Sequence, residues 1–145
     1  VIRETLESDK DGVIDLIQAF YLEELHKFEY RFDRAQAEAD FLTAIKVPEV
    51  YSLVIDNGQI DGFIGAIISK RMFLAGVTAM ELMWYVKPSK RREGIRLLQA
   101  FERGCKDRGC DDVMMIGLEG SKACKAYELL GYRKQESMYF KKIGG

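Results

Sequence analysis

The sequence predicts an α/β (α+β) domain in which a mixed central β-sheet carries helices on both faces. Three observations lead there. Apolar residues alternate through the middle of the chain, and the period then changes from two to about 3.6 near residue 90. Strand-like and helix-like segments follow one another in the order β-α-α-β-β-β-α-β-α-β, a mixed pattern that needs helices laid over a sheet. The chain has 145 residues, 48% apolar and 31% charged. That is the size of a single domain spanning residues 1–145, able to bury a core without staples.

Each element has its own signal. Val1 to Thr5 reads as a first strand, and Ser8 or Asp9 as the cap of a helix with Val13, Ile17, Phe20 and Tyr21 on one face. An aromatic and charged stretch, Leu25 to Phe32, holds His26, Phe28, Tyr30 and Arg31. Asp33 then caps a second helix in which Ala37, Phe41 and Ala44 recur at helical spacing. Val50 to Ile55 is an apolar strand, Asp56-Asn57-Gly58 a hairpin turn, and Gly62 to Ser69 the returning strand. Val77 to Val86 is a third long strand, rich in residues suited to a buried pleated surface. Leu97, Leu98, Phe101, Gly104 and Cys105 mark the apolar face of a helix that ends at Arg108-Gly109. Asp112 to Leu118 is a short strand, Lys122 to Leu130 a helix ending at Gly131, and Arg133 to Ile143 a last strand.

Composition removes several classes of function. A formal net charge of -1 supplies no global basic field for nucleic acid or an anionic membrane. Three cysteines and no dense framework suggest reduced thiols in a cytoplasmic protein. With one histidine, and Cys105 and Cys110 not spaced as a knuckle, no metal site is expected. No apolar run approaches the ~20 residues needed to span a bilayer, and no export signal is evident.

The informative stretch runs from Val86 to Leu98. A strand ends at Pro88, a basic loop follows, and Gly94 sits where the next helix begins. First-turn N–H groups lack internal partners and the helix dipole favours negative charge there, so this is an anion site. Gly94 admits close backbone approach, and Lys90, Arg91, Arg92 and Arg96 supply countercharge. The ligand implied is a phosphate or pyrophosphate.

Val86, Pro88, Arg91 and Gly94 fall at the spacing V-x-P-x-x-[RQ]-x-x-G-x-[GA], and Ala123, Tyr127, Gly131 and Tyr132 fit N-x-x-A-x-x-x-Y-x-x-x-G-[FY]. In these two motifs the chain resembles the GCN5-related N-acetyltransferases (GNAT). Two positions depart from the family pattern: Arg96 stands at the final small residue of the loop, and Gly120 replaces the Asn of the second motif. Arg96 can pair with a phosphate, point into solvent or close the cradle.

The resemblance implies acetyl-CoA as co-substrate and direct transfer of its acetyl group to an amine of a small molecule or protein. It places cofactor contacts at Arg91, Arg92, Glu93, Gly94, Ile95 and Arg96, at the backbone of Trp84, Tyr85 and Val86, and at Ser121. Glu81 is the implied base, on a face shared with Met83 and Tyr85 that should raise its pKa, although many relatives act through water. Tyr127 is the implied acid for the leaving sulfur. His26 borders the acceptor side. Many relatives also pair as homodimers through their C-terminal strands. A second reading makes the fold a scaffold, binding CoA or a protein partner without turnover.

Overall fold

The computed structural model describes residues 1–145, which form two compact units, Val1–Met114 and Met115–Gly145. In the first, five strands make one sheet: β1 (Ile2–Glu4), β2 (Val50–Asp56), β3 (Ile60–Lys70), β4 (Val77–Val86) and β5 (Asp112–Met114). Their order is β1-β2-β3-β4-β5. The first four are antiparallel, and β5 joins β4 in parallel after a helical crossover.

Register decides which residues share a face. Val54 pairs with Phe63 and Phe63 with Tyr85, so these three lie on one side. There Val54 packs with Val13 and Ile14 of α1 (Lys10–Glu23) and Phe41 of α2 (Arg34–Ala44). On α1 the fully buried residues are Val13, Ile14 and Leu16, while Ile17, Phe20 and Tyr21 are half-buried. The opposite face carries Tyr51, Leu53, Ile55, Ile64 and Ala66 beneath α3 (Arg92–Asp107). Leu97, Leu98 and Phe101 of α3 have no exposed surface, and each such side chain contributes roughly 1.5–3 kcal/mol. The Phe101 and Tyr51 rings stack with centroids 5.6 Å apart. Helices therefore cover both faces, as the alternation of elements predicts.

Of the two expected caps, Ser8 or Asp9 for α1 and Asp33 for α2, only Asp33 makes a side-chain capping bond. Asp33 accepts the Gln36 N–H at 3.1 Å and starts α2. Asp9 stands just before α1, yet its carboxylate accepts the Leu6 N–H at 2.7 Å and a two-pronged bond from Arg3 at 2.9 Å. The Arg3 guanidinium holds the Asp9 carboxyl below its ordinary range. A charged partner with two donors outcompetes a helix amide for the same oxygens.

A bulge interrupts the β3–β4 ladder. Gly65 pairs with Met83 but the next residue, Ala66, pairs with Glu81, which leaves Leu82 as the extra residue in β4. Alternation flips across it. Glu81 lies on the face of Ala66, with Trp84 and Val86, and not with Met83 and Tyr85 as strict alternation predicts.

The second unit contains α4 (Lys122–Leu129). Its end is a complete Schellman turn: the Gly131 N–H bonds the Glu128 carbonyl at 3.2 Å and the Tyr132 N–H bonds that of Tyr127 at 2.9 Å. Gly131 has φ +89°, which a side chain would strain. The Tyr-x-x-x-Gly-Tyr spacing is thus the spacing of a helix stop.

Two strand expectations fail. The strand predicted over Asp112 to Leu118 stops at Met114, because local bonds take the following backbone. Tyr127 Oη donates to the Ile116 carbonyl, and the Ser121 N–H to that of Leu118. The last predicted strand, Arg133 to Ile143, is not formed. Its apolar residues Met138, Tyr139 and Phe140 are consecutive and exposed, so they never define one face of a pleat.

Candidate functional site

The candidate site lies at the C-terminal end of β4. The β4–β5 ladder covers only Thr78, Ala79 and Met80, whereas β4 remains paired with β3 as far as Val86. From Glu81 onward the far edge of β4 has no neighbouring strand. A helical turn at Pro88–Lys90 then leads into α3, whose first-turn amides begin beside that edge.

The basic cluster divides into two kinds of residue. Lys87 and Arg91 are anchors. Lys87 Nζ lies 3.1 Å from Asp61, a carboxylate with 1% exposure, and the Lys87 N–H donates to the Asp61 carbonyl at 2.9 Å. Arg91 was expected to supply countercharge, but its Nη2 donates to both oxygens of Glu23 at 2.8 and 2.9 Å. Its Nε donates to the Val86 carbonyl at 2.7 Å. Lys90, Arg92 and Arg96, by contrast, are exposed and enter no ion pair. These three cations remain available to an anion.

Other residues support the loop. Asn57 Nδ2 donates to Asp61 at 2.9 Å and reaches Glu93 at 3.3 Å, so the β2–β3 hairpin braces the first turn of α3. Burial pushes the Asp61 carboxyl up, but hydrogen bonds from Asn57 and Lys87 outweigh it and hold the group below its ordinary range. Tyr85 moves the other way: burial, then its bond to Glu23, raise its phenol.

Gly94 is buried, and a Cβ there would lie 3.4 Å from Val86 and 3.7 Å from Trp84. Its missing side chain therefore faces β4 at ordinary van der Waals distance, so the packing there would accept a Cβ. Arg96 follows two residues on, about 200° round the helix, and is exposed. Its exposure is compatible with a place in solvent or beside a phosphate. Ile95 is half-buried between them.

Glu81 is buried, with 7% exposure, and is the first residue of β4 past the end of the β5 ladder. Within the second unit Tyr127 is buried, and its hydroxyl donates to the Ile116 carbonyl at 3.1 Å. Ser121 immediately precedes α4, with its Oγ 3.6 Å from Cys124 Sγ. His26 is exposed, and its Nδ1 lies 3.2 Å from the Tyr21 carbonyl. Burial, then Cys110, push the Cys105 thiol up to about 12, which leaves no thiolate nucleophile there at neutral pH.

Glu23, Asp61 and Asn57 were missed by the sequence reading. Glu23 is 68 residues from its partner Arg91, and no local pattern joins them. Asp61 offered one signal: a carboxylate directly before the apolar run of β3 is costly to bury without a partner.

The Lys87–Asp61 pair gives a pH-dependent expectation. Lys87→Met should destabilise the chain by about 2 kcal/mol at pH 7, less than a fully buried pair, because its side chain is screened by water. Asp61 is depressed in the folded state, so its stabilisation is present above its unfolded pKa and lost as pH falls through the folded one. The gap between variant and wild type should therefore close below about pH 4. Urea melts between pH 3 and 7 check this, and a gap independent of pH would deny the pair.

A model of the acetyltransferase (GNAT) family matches residues 13–132. The chain belongs to that family. No curated protein matches it in sequence. Among solved structures, a transcriptional regulator from Bacillus halodurans has 16% identity and a TM-score of 0.82, with 99% of each chain covered. The structure of AAC(6')-Iy with a CoA-linked bisubstrate analogue has 18% identity and a TM-score of 0.79, covering 100% of this chain and 98% of that one. An aminoglycoside 6'-N-acetyltransferase from Acinetobacter haemolyticus has 16% identity and a TM-score of 0.77, covering 100% and 99%. At these identities the likeness shows a shared fold. No helix is long and apolar enough to cross a membrane.

Proposed function

We propose that the chain is an acetyl-CoA-dependent N-acetyltransferase acting on an amine of a small molecule or protein. One observation carries this reading: the open β4 edge beyond Met80 runs directly into a braced loop, a helix N-terminus and three exposed unpaired cations. Edge, amides and charge suit a long ligand that ends in phosphates. The backbone of Trp84, Tyr85 and Val86 would hold the extended arm. The first turn of α3, from Arg92 to Ile95, would receive the pyrophosphate, with Lys90, Arg92 and Arg96 as countercharge.

Acetyl-CoA, when bound, supplies an activated acyl group. The chain's residues supply proton transfers and orientation. Glu81 accepts the proton of the attacking amine, a role that its burial and its place at the start of the open edge support. The family resemblance gives Tyr127 the role of acid to the departing sulfur. Ser121, at the start of α4, adds a polar contact.

Isothermal titration with acetyl-CoA, beside CoA and ATP, tests the reading. Saturable binding of both CoA species without ATP binding is expected. No binding at millimolar acetyl-CoA would remove the cofactor and leave a scaffold.

A further inference from the structure

We infer that Glu23 and Tyr85 are positioning residues for the phosphate loop: they hold the Arg91 guanidinium against the end of β4, where it fixes the first turn of α3 instead of meeting a ligand. The inference rests on the acetyl-CoA reading above and adds residues of α1 and β4 to that site. Arg91 faces Glu23 through two bonds of 2.8 and 2.9 Å, and Tyr85 Oη donates to the same carboxylate at 2.7 Å. The guanidinium carbon lies 5.3 Å from the centre of the Tyr85 ring. That ring is held in turn by Phe20 of α1, with centroids 5.5 Å apart. Arg91 Nε closes the turn on itself by bonding the carbonyl of Val86, five residues earlier.

Two consequences follow from this arrangement. The charge of Arg91 is balanced by Glu23, so the countercharge for an anion falls to Lys90, Arg92 and Arg96. The loop is also tied to the last residue of α1, which only Glu24 separates from the Leu25–Phe28 turn. A loop held on one side by Lys87–Asp61 and on the other by Arg91–Glu23 presents its amides without first having to order them.

The sign of one substitution separates positioning from simple electrostatics. Glu23 is an anion near a site for an anion, so removing its charge should tighten acetyl-CoA binding if charge alone mattered. If Glu23 positions the loop, Glu23→Gln should weaken binding about tenfold, the value of one charge-assisted hydrogen bond. Tyr85→Phe should weaken it less. Arg91→Gln should weaken it too, but leave the salt dependence of binding unchanged, because no phosphate contact is lost. Titration calorimetry at two salt concentrations reads all three, with thermal melts to verify folding.

Equal or tighter binding by Glu23→Gln, or a shallower salt dependence in Arg91→Gln, would overturn the inference. Should the wild-type chain not bind acetyl-CoA, the cofactor reading falls separately. The latch is then judged by hydrogen exchange: amides of residues 90–95 exchange faster in Glu23→Gln if it exists and are unchanged if it does not.

Discussion

Glu81→Gln is expected to lower kcat by at least about a hundredfold while acetyl-CoA affinity stays within about twofold. The substitution keeps the shape of the side chain and one acceptor oxygen, and removes its charge and its ability to take a proton. Glu81 is suited to that task because it is buried, and because the β5 ladder stops one residue before it. Reactants aligned along the open edge would meet its carboxylate at the point where β4 first lacks a neighbour. The measurement is steady-state turnover on an amine found by screening, followed across pH. In the wild type the rate should rise through one ionisation on the acid side, and in Glu81→Gln that limb should be absent. Unchanged turnover would assign proton removal to water.

The largest loss of stability is expected from Phe101→Ala, about 3–5 kcal/mol, or roughly 10–15 °C in Tm. Phe101 has no exposed surface and stacks on Tyr51 at 5.6 Å and 13°. The Tyr51 ring carries the guanidinium of Arg108 on it, 3.8 Å from the ring centre to Cζ. Removing Phe101 therefore empties a site whose neighbours are themselves stacked and cannot collapse freely. Phe101→Leu, which refills most of the volume, should cost less than half as much. Denaturant melts decide it. A cost below 1 kcal/mol for the alanine variant would mean that α3 does not seat on β2 as described.

The apolar face of α3 was legible because Leu97, Leu98, Phe101 and Cys105 obey one period, and periodicity is a local property. The loop from Val86 to Gly94 was legible for the same reason: its spacing lies within nine residues. The partners of the loop were not. Arg91 and Lys87 look like free cations until a carboxylate from α1 and another from β3 arrive beside them, and such meetings are products of tertiary packing. The last strand was misread because β-propensity describes a residue's fit to a sheet and cannot supply the neighbouring strand. The orientation of Glu81 was misread because alternation holds only while the ladder runs without an insertion.

That insertion, Leu82, makes the placement of the acidic residue depend on chain length as much as on residue identity. Removing Leu82 alone would let the ladder run straight through. Glu81 would then directly precede Met83 and keep Ala66 as its partner, on the side covered by α3. An acid at the same distance from Val86 in a ladder without the insertion would lie instead with Met83 and Tyr85, on the side covered by α1 and α2. Chains of this fold with and without the bulge that carry an acid at equal sequence distance from Val86 therefore place it on opposite surfaces. Assigning the base among them requires counting strand pairs, not sequence positions.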